Sequence, residues 1–215
     1  VADQPAGDSL TAYSGIMVYV YSWVDMPMDL APGDTLDMIG KASDYYGITE
    51  MQPTIIVRTS QGGAVPDPAV LAVNVLTTAL PEAEQANDYR PLDANSEPSE
   101  IDDTLLAERY EGTYVSAGNY DLVVAGYQRD LNDDVTGIEA ITFPYRGVRA
   151  LIGCKHWDCS TPPVIGMLVT KLDGIGDYKR VPLGGGEYMP QYLIQPRSES
   201  DIDFGAAPPD VDGDN

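Results

Sequence analysis

Gly33-Asp-Thr-Leu-Asp-Met-Ile-Gly-Lys-Ala-Ser-Asp-Tyr-Tyr-Gly-Ile-Thr-Glu50 packs a turn, an alternating run and a second turn into one short stretch. Pro32 and Gly33 set the backbone of the first turn. Leu36 to Ile39 then reads as a strand. The polar edge Asp44-Tyr-Tyr-Gly47 re-aims the chain toward Met51 and Gln52. Upstream, Ile16-Met-Val-Tyr-Val-Tyr21 reads as a strong strand with Ile16, Val18 and Val20 on one face. Downstream, Thr54-Ile-Ile-Val-Arg58 is a β-branched run closed by Gly62 and Gly63.

The same pattern of short strands and turn residues continues to the C-terminus. Val70 to Leu76 reads equally as a buried strand or a short helix, because periodicity does not separate the two. Residues 80–98, rich in Pro, Glu, Asn, Asp and Ala, read as a linker. Acidic residues at the start of Ile101 to Gly112, and Gly at its end, predict one short helix. Further strands are expected at Thr113–Val115, Asp121–Ala125, Ile141–Phe143, Val148–Ile152, Val164–Leu172 and Tyr188–Gln195, with Gly184-Gly-Gly186 as a flexible loop before the last. No long amphipathic helix occurs. The expected fold class is all-β.

The composition bounds the partners. Of 215 residues, 43% are hydrophobic and 21% charged, which suffices for a packed core. There are 14 Tyr against 2 Phe and 2 Trp, a choice that suits half-buried strands. With 12 Lys and Arg against 34 Asp and Glu, the formal charge is −22. Such a surface repels phosphate backbones and anionic membrane surfaces, so neither nucleic acid nor membrane is an expected partner. No apolar stretch is long enough for a transmembrane helix. Because the chain starts at Val1 without a signal peptide, it reads as a processed product or an excerpt of a longer protein.

The Gly33–Glu50 stretch resembles a segment of OB-fold-like domains in large secreted bacterial nucleases and related surface proteins. Leu106-Ala-Glu-Arg-Tyr-Glu-Gly-Thr-Tyr-Val115 and Tyr192-Leu-Ile-Gln-Pro-Arg-Ser-Glu-Ser-Asp-Ile202 are similar to two later segments of that family. The resemblance implies two OB-like Greek-key barrel units, 1–80 and 100–205; composition reads 81–99 as the linker between them and 206–215 as an acidic tail. It also implies that Arg197 and Asp201 form a local structural pair. Asp3 to Gly7 and Ser14 to Ile16 match a segment that in relatives follows the first barrel strand, so the first unit is expected to lack that strand. An incomplete barrel exposes an edge. Either the strand lies upstream in a longer precursor, or a neighbour supplies it, with residues 13–21, and Ile16, Val18 and Val20 in particular, lining the accepting groove. No nuclease domain follows, and His156 alone cannot replace its catalytic residues. The expectation is therefore a non-catalytic extracellular or cell-surface bacterial subunit that forms a homo-oligomer or polymer. The alternative is an oligonucleotide- or substrate-binding module excised from a larger secreted nuclease or phosphoesterase, with Tyr45, Tyr46 and Tyr114 stacking bases.

Three local features carry candidate chemistry. Cys154-Lys-His-Trp-Asp-Cys159 reads as a disulfide closing a tight loop, with His156 and Trp157 as a displayed contact surface or a capped loop. The competing reading makes Cys154, His156 and Cys159 ligands for zinc or copper, which leaves an open coordination position. Asp210, Asp212 and Asp214, with Gly213 between the last two, resemble the start of a calcium-binding repeat, set against a plain acidic tail. The expectation is no cofactor, with calcium as the leading candidate should one bind. Asp130-Leu-Asn-Asp-Asp134 also suggests a calcium loop, but Val135 and Ile141 stand where glycine and glutamate would be needed, so a hairpin turn is expected. No nucleophile elbow, Walker or dinucleotide glycine pattern is present.

Overall fold

The computed structural model describes residues 15–45, 48–71, 110–117, 120–130, 132–142, 149–184 and 187–206. The chain is all-β, and its described residues form two sheets. The expected linker and most of the expected helix, along with the acidic tail, lie outside the described residues.

The first sheet is built on the opening stretch. β2 (Thr35–Tyr45) and β3 (Ile48–Ser60) form an antiparallel hairpin in which Tyr45 registers against Ile48. Both strands run well beyond the four- and five-residue cores read from the sequence. Gly33-Asp34 closes the open end of the hairpin. The Asp34 carboxylate accepts from the backbone N–H of Ala31 at 3.2 Å, from that of Gly62 at 3.1 Å, and from Arg58 Nη1 at 3.1 Å. Those two N–H groups, Gly62 first, hold the Asp34 carboxyl below the usual carboxylate range. The hairpin twists at a bulge: Ile39 faces Ile55 and Gly40 faces Pro53, so Thr54 has no partner residue.

β1 spans only Met17–Val18 and runs parallel to β3, pairing with Glu50 and Met51; Tyr19 N adds a bond to Met51 O at 3.0 Å. The six-residue strand expected over 16–21 is corrected to this. Turns and bends begin at Ser22, and most of the segment's side chains stay exposed instead of alternating. The sheet order is β1-β3-β2.

The second sheet contains β4 (Ala69–Val70), β5 (Tyr114–Ser116), β6 (Leu122–Arg129), β7 (Val135–Thr142), β8 (Arg149–Gly153), β9 (Leu168–Gly184), β10 (Glu187–Gln195) and β11 (Ile202–Gly205). β9 is its spine, pairing antiparallel with β5, β6, β10 and β11. From β6 the ladder continues antiparallel to β7 and β8, and β8 meets β10 in parallel. The strand expected to begin at Val164 begins at Leu168 instead, after a turn that leaves Val164 and Ile165 exposed. β4 pairs parallel with β5, which lays the end of the first expected unit on the second sheet.

Leu122, Val124, Ile138, Ile152, Leu172 and Val115 are fully enclosed and form the centre of the core. The segment before β1 reaches this body through two glycines. A Cβ on Gly15 would lie 2.0 Å from the Gly112 carbonyl carbon, and Gly112 itself has φ +69°. Gly15 N donates to Thr113 Oγ1 at 3.1 Å across the same contact. Only glycine permits this backbone approach.

Candidate assembly surface and the Arg197 cavity

The outer side of β2 pairs with no strand among the described residues. Along β2, Leu36 and Met38 turn to the half-buried face, where Ile56 is enclosed. Asp37, Ile39 and Lys41 turn to the open face. There Ile39 is 65% exposed, beside Ile55 at 50% and Val57 at 51%. An unpaired strand edge beside exposed β-branched residues is an arrangement that proteins normally blunt or use.

Next to this sheet runs an aromatic strip. Tyr19 and Tyr21 meet edge to face with centroids 5.0 Å apart, and Tyr21 stacks on Trp23 at 5.6 Å. Of the expected groove residues, Ile16 and Val18 are exposed and Val20 is half-buried. Met26 and Met28 extend the exposed apolar surface, while Val24 turns inward. Tyr, Trp and Met are the side chains enriched where proteins dock.

A cavity of about 520 Å³ opens between Pro32, Val65 to Pro68, Tyr114, Arg197 and Ser198. Of its lining residues, Arg197 is held in an ion pair. Arg197 Nε and Nη2 reach the two Asp201 oxygens at 2.7 and 2.9 Å, and Arg197 N donates to the same carboxylate at 3.0 Å. The guanidinium lies 3.8 Å from the Tyr114 ring centre and also donates to its hydroxyl at 2.7 Å. The Arg197 hydrogen bonds hold the Asp201 carboxyl below its usual range against the opposing effect of burial. Burial pushes the Tyr114 hydroxyl up. The Arg197–Asp201 pair expected from the resemblance is therefore present, and it occupies the ring that was a candidate for base stacking. Tyr46 lies outside the described residues, and Tyr45 is placed only as the last residue of β2.

Cys154 and Cys159 are joined as a disulfide, with Cα atoms 5.7 Å apart. Both sulfurs are thereby removed from metal ligation, and among the described residues no group of three or more His, Cys, Asp or Glu could hold a metal ion. Trp157 does not project as a displayed contact. Its Nε1 donates to Gly153 O at 2.7 Å, and its ring packs near Phe204 at 6.2 Å, so the loop folds back on the core while His156 stays exposed. Replacing both cysteines with alanine is expected to cost about 2 kcal/mol, as befits a short closed loop. Urea unfolding of wild type and variant without reductant measures this.

Asp130, Asn132, Asp133 and Asp134 form a hairpin turn between β6 and β7, closed by Asp130 N donating to Asp134 O at 2.9 Å. Asp130 Oδ1 accepts from Asn132 N at 2.8 Å and Asp134 N at 3.1 Å, so that oxygen is committed to the backbone. Asp210, Asp212 and Asp214 lie outside the described residues. Among the described residues no helix is long and apolar enough to cross a membrane.

Neither the Ile39 face nor the exposed Asp37 and Lys41 beside it stands out in the sequence; the alternation of exposure along β2 reveals them. In comparisons with known proteins, no family model, no curated protein and no solved structure matches the chain.

Proposed function

We infer that this chain is a non-catalytic structural subunit that joins its neighbours through the first sheet. The observation that carries this reading is the outer edge of β2, unpaired among the described residues, beside the exposed Ile39, Ile55 and Val57. At the opposite, β1 edge of the sheet, the exposed Tyr19–Tyr21–Trp23 strip offers a second apolar surface. Strand addition at a free edge provides main-chain hydrogen bonds, and side chains on the joined face provide selectivity.

Finer points of the reading rest on supporting features. An OB-like form for the second sheet is supported by β9 pairing with both β6 and β10, since that links five strands into a returning ladder. An extracellular or bacterial cell-surface setting is supported by the disulfide, a bond that persists in oxidising compartments. Light scattering on the purified chain tests the assembly reading. The expected mass is a multiple of 23.2 kDa; a single-copy mass at every concentration would refute the assembly reading.

A second reading, a substrate-binding module, draws on the Arg197 cavity. In its oligonucleotide form it meets the −22 charge. Fluorescence anisotropy with a labelled single strand at low ionic strength is expected to show no binding. Salt-sensitive binding there would favour this second reading instead.

A further inference from the structure

We propose that the occupant of the β2 edge is the β2 edge of a second copy, paired antiparallel about a two-fold axis through Ile39. This rests on the assembly reading and names its partner and register.

The argument is one of charge and spacing. Asp37 and Lys41 stand two residues to either side of Ile39, on the same exposed face, and neither has an ion-pair partner among the described residues. In an antiparallel pairing centred on Ile39, Asp37 of each copy falls opposite Lys41 of the other, and Ile39 falls opposite Ile39. Centring on Gly40 would put Lys41 opposite Ile39, and centring on Met38 would put Asp37 opposite Ile39. Only the Ile39 register makes both cross-strand ion pairs together with an apolar centre.

The neighbouring strand extends the match. Ile55 pairs with Ile39 within each copy, so the joined sheet would carry Ile55, Ile39, Ile39 and Ile55 in one row across four strands. Directly opposed β-branched and opposite-charge pairs are the stabilising units of a sheet. A lysine alone on an edge deters pairing. With an aspartate at the mirror position, the same lysine deters every register but one. Two chains of charge −22 repel, and a locally balanced edge is where they can approach. An isologous contact of this kind closes as a dimer and does not propagate as a fibre.

The test is a charge swap read by sedimentation equilibrium. Asp37→Lys or Lys41→Glu alone turns both cross-strand pairs from attraction to repulsion. Each is expected to weaken association about tenfold or more. The double variant Asp37→Lys/Lys41→Asp restores opposite charges at both positions and is expected to recover dimerisation. Register is read separately with Ile39→Cys, expected to form a cross-linked dimer under mild oxidation, while Asp37→Cys alone does not. Circular dichroism identifies any variant that fails to fold, and the cysteine pair then decides alone. A wild-type dimer that ignores the charge variants and cross-links equally through both cysteines would overturn the β2 proposal and leave the assembly reading standing. A wild-type monomer at all concentrations would overturn both.

Discussion

Leu122→Ala is expected to remove about 3 kcal/mol of folding stability, toward the lower end of what such truncations cost in a packed core. Leu122 is fully enclosed and sits where two ladders meet, facing Thr142 of β7 on one side and Val169 of β9 on the other. Its isobutyl group fills the junction between the β6–β7 hairpin and the long β9. Strands on both sides are tied by hydrogen bonds, so the cavity cannot close by moving either one. A small domain has roughly 5 to 15 kcal/mol in total, so the variant should unfold at distinctly lower urea. Ile39→Ala, at an exposed position, is expected to change single-copy stability by less than about 0.5 kcal/mol. Urea unfolding at low protein concentration compares the two. Trp157, packed near the core, reports by fluorescence.

Arg197→Ala is the second large effect, expected at about 2 to 3 kcal/mol. That is below the cost of stranding a fully buried charge, because the guanidinium side chain keeps 34% of its exposure and is partly screened. Its loss leaves Asp201, only 3% exposed, without its bidentate partner and strips the cation from the Tyr114 ring. Lysine at 197 cannot supply the same fork, so Arg197→Lys should restore only part. Arg197→Met paired with Asp201→Leu should recover more, since it removes the stranded charge itself.

The pH dependence follows from direction. Asp201 is held below its unfolded value when Arg197 is present. Its contribution is therefore complete above the unfolded carboxylate pKa of about 4 and is lost as pH falls through the lower folded value. In Arg197→Ala the buried carboxylate gains from protonation, so the gap between wild type and variant should narrow on acidification. Urea midpoints at neutral pH and near pH 3 check this.

The all-β class was legible because turn residues and β-branched runs alternate throughout. The hairpin was legible as two strands and a turn, but not its length. Lys41-Ala-Ser-Asp44 carries no large apolar or β-branched residue, so nothing in the residues marks it as strand. β9 was hidden for a related reason. Asp173-Gly-Ile-Gly-Asp177 looks like a loop, yet Gly174 and Gly176 lie in mid-strand because other backbone passes over them. A Cβ on Gly174 would sit 2.5 Å from the Gln195 carbonyl oxygen, and one on Gly176 2.2 Å from that of Tyr110. Close approach, not flexibility, sets those glycines. The Arg197–Asp201 pair came through resemblance at a four-residue spacing; its contact with Tyr114, 83 residues away, could not. For Trp157 the residues left a displayed contact and a capped loop open, and only the indole's bond back to Gly153 decides for the capped loop. The edge charges at 37 and 41 acquire meaning only once Ile39 is known to face solvent.

Hydrogen exchange across a range of protein concentrations tests the central claim most directly. Edge amides of β2 exchange freely in a lone copy and become bonded when a second edge adds. Protection of the peptide covering Thr35 to Ser43 should rise with concentration, in step with the associated mass. A peptide covering Leu122 to Arg129, already bonded on both sides at Leu122 and Val123, should not change. Association with no added protection over Thr35 to Ser43 would contradict the account.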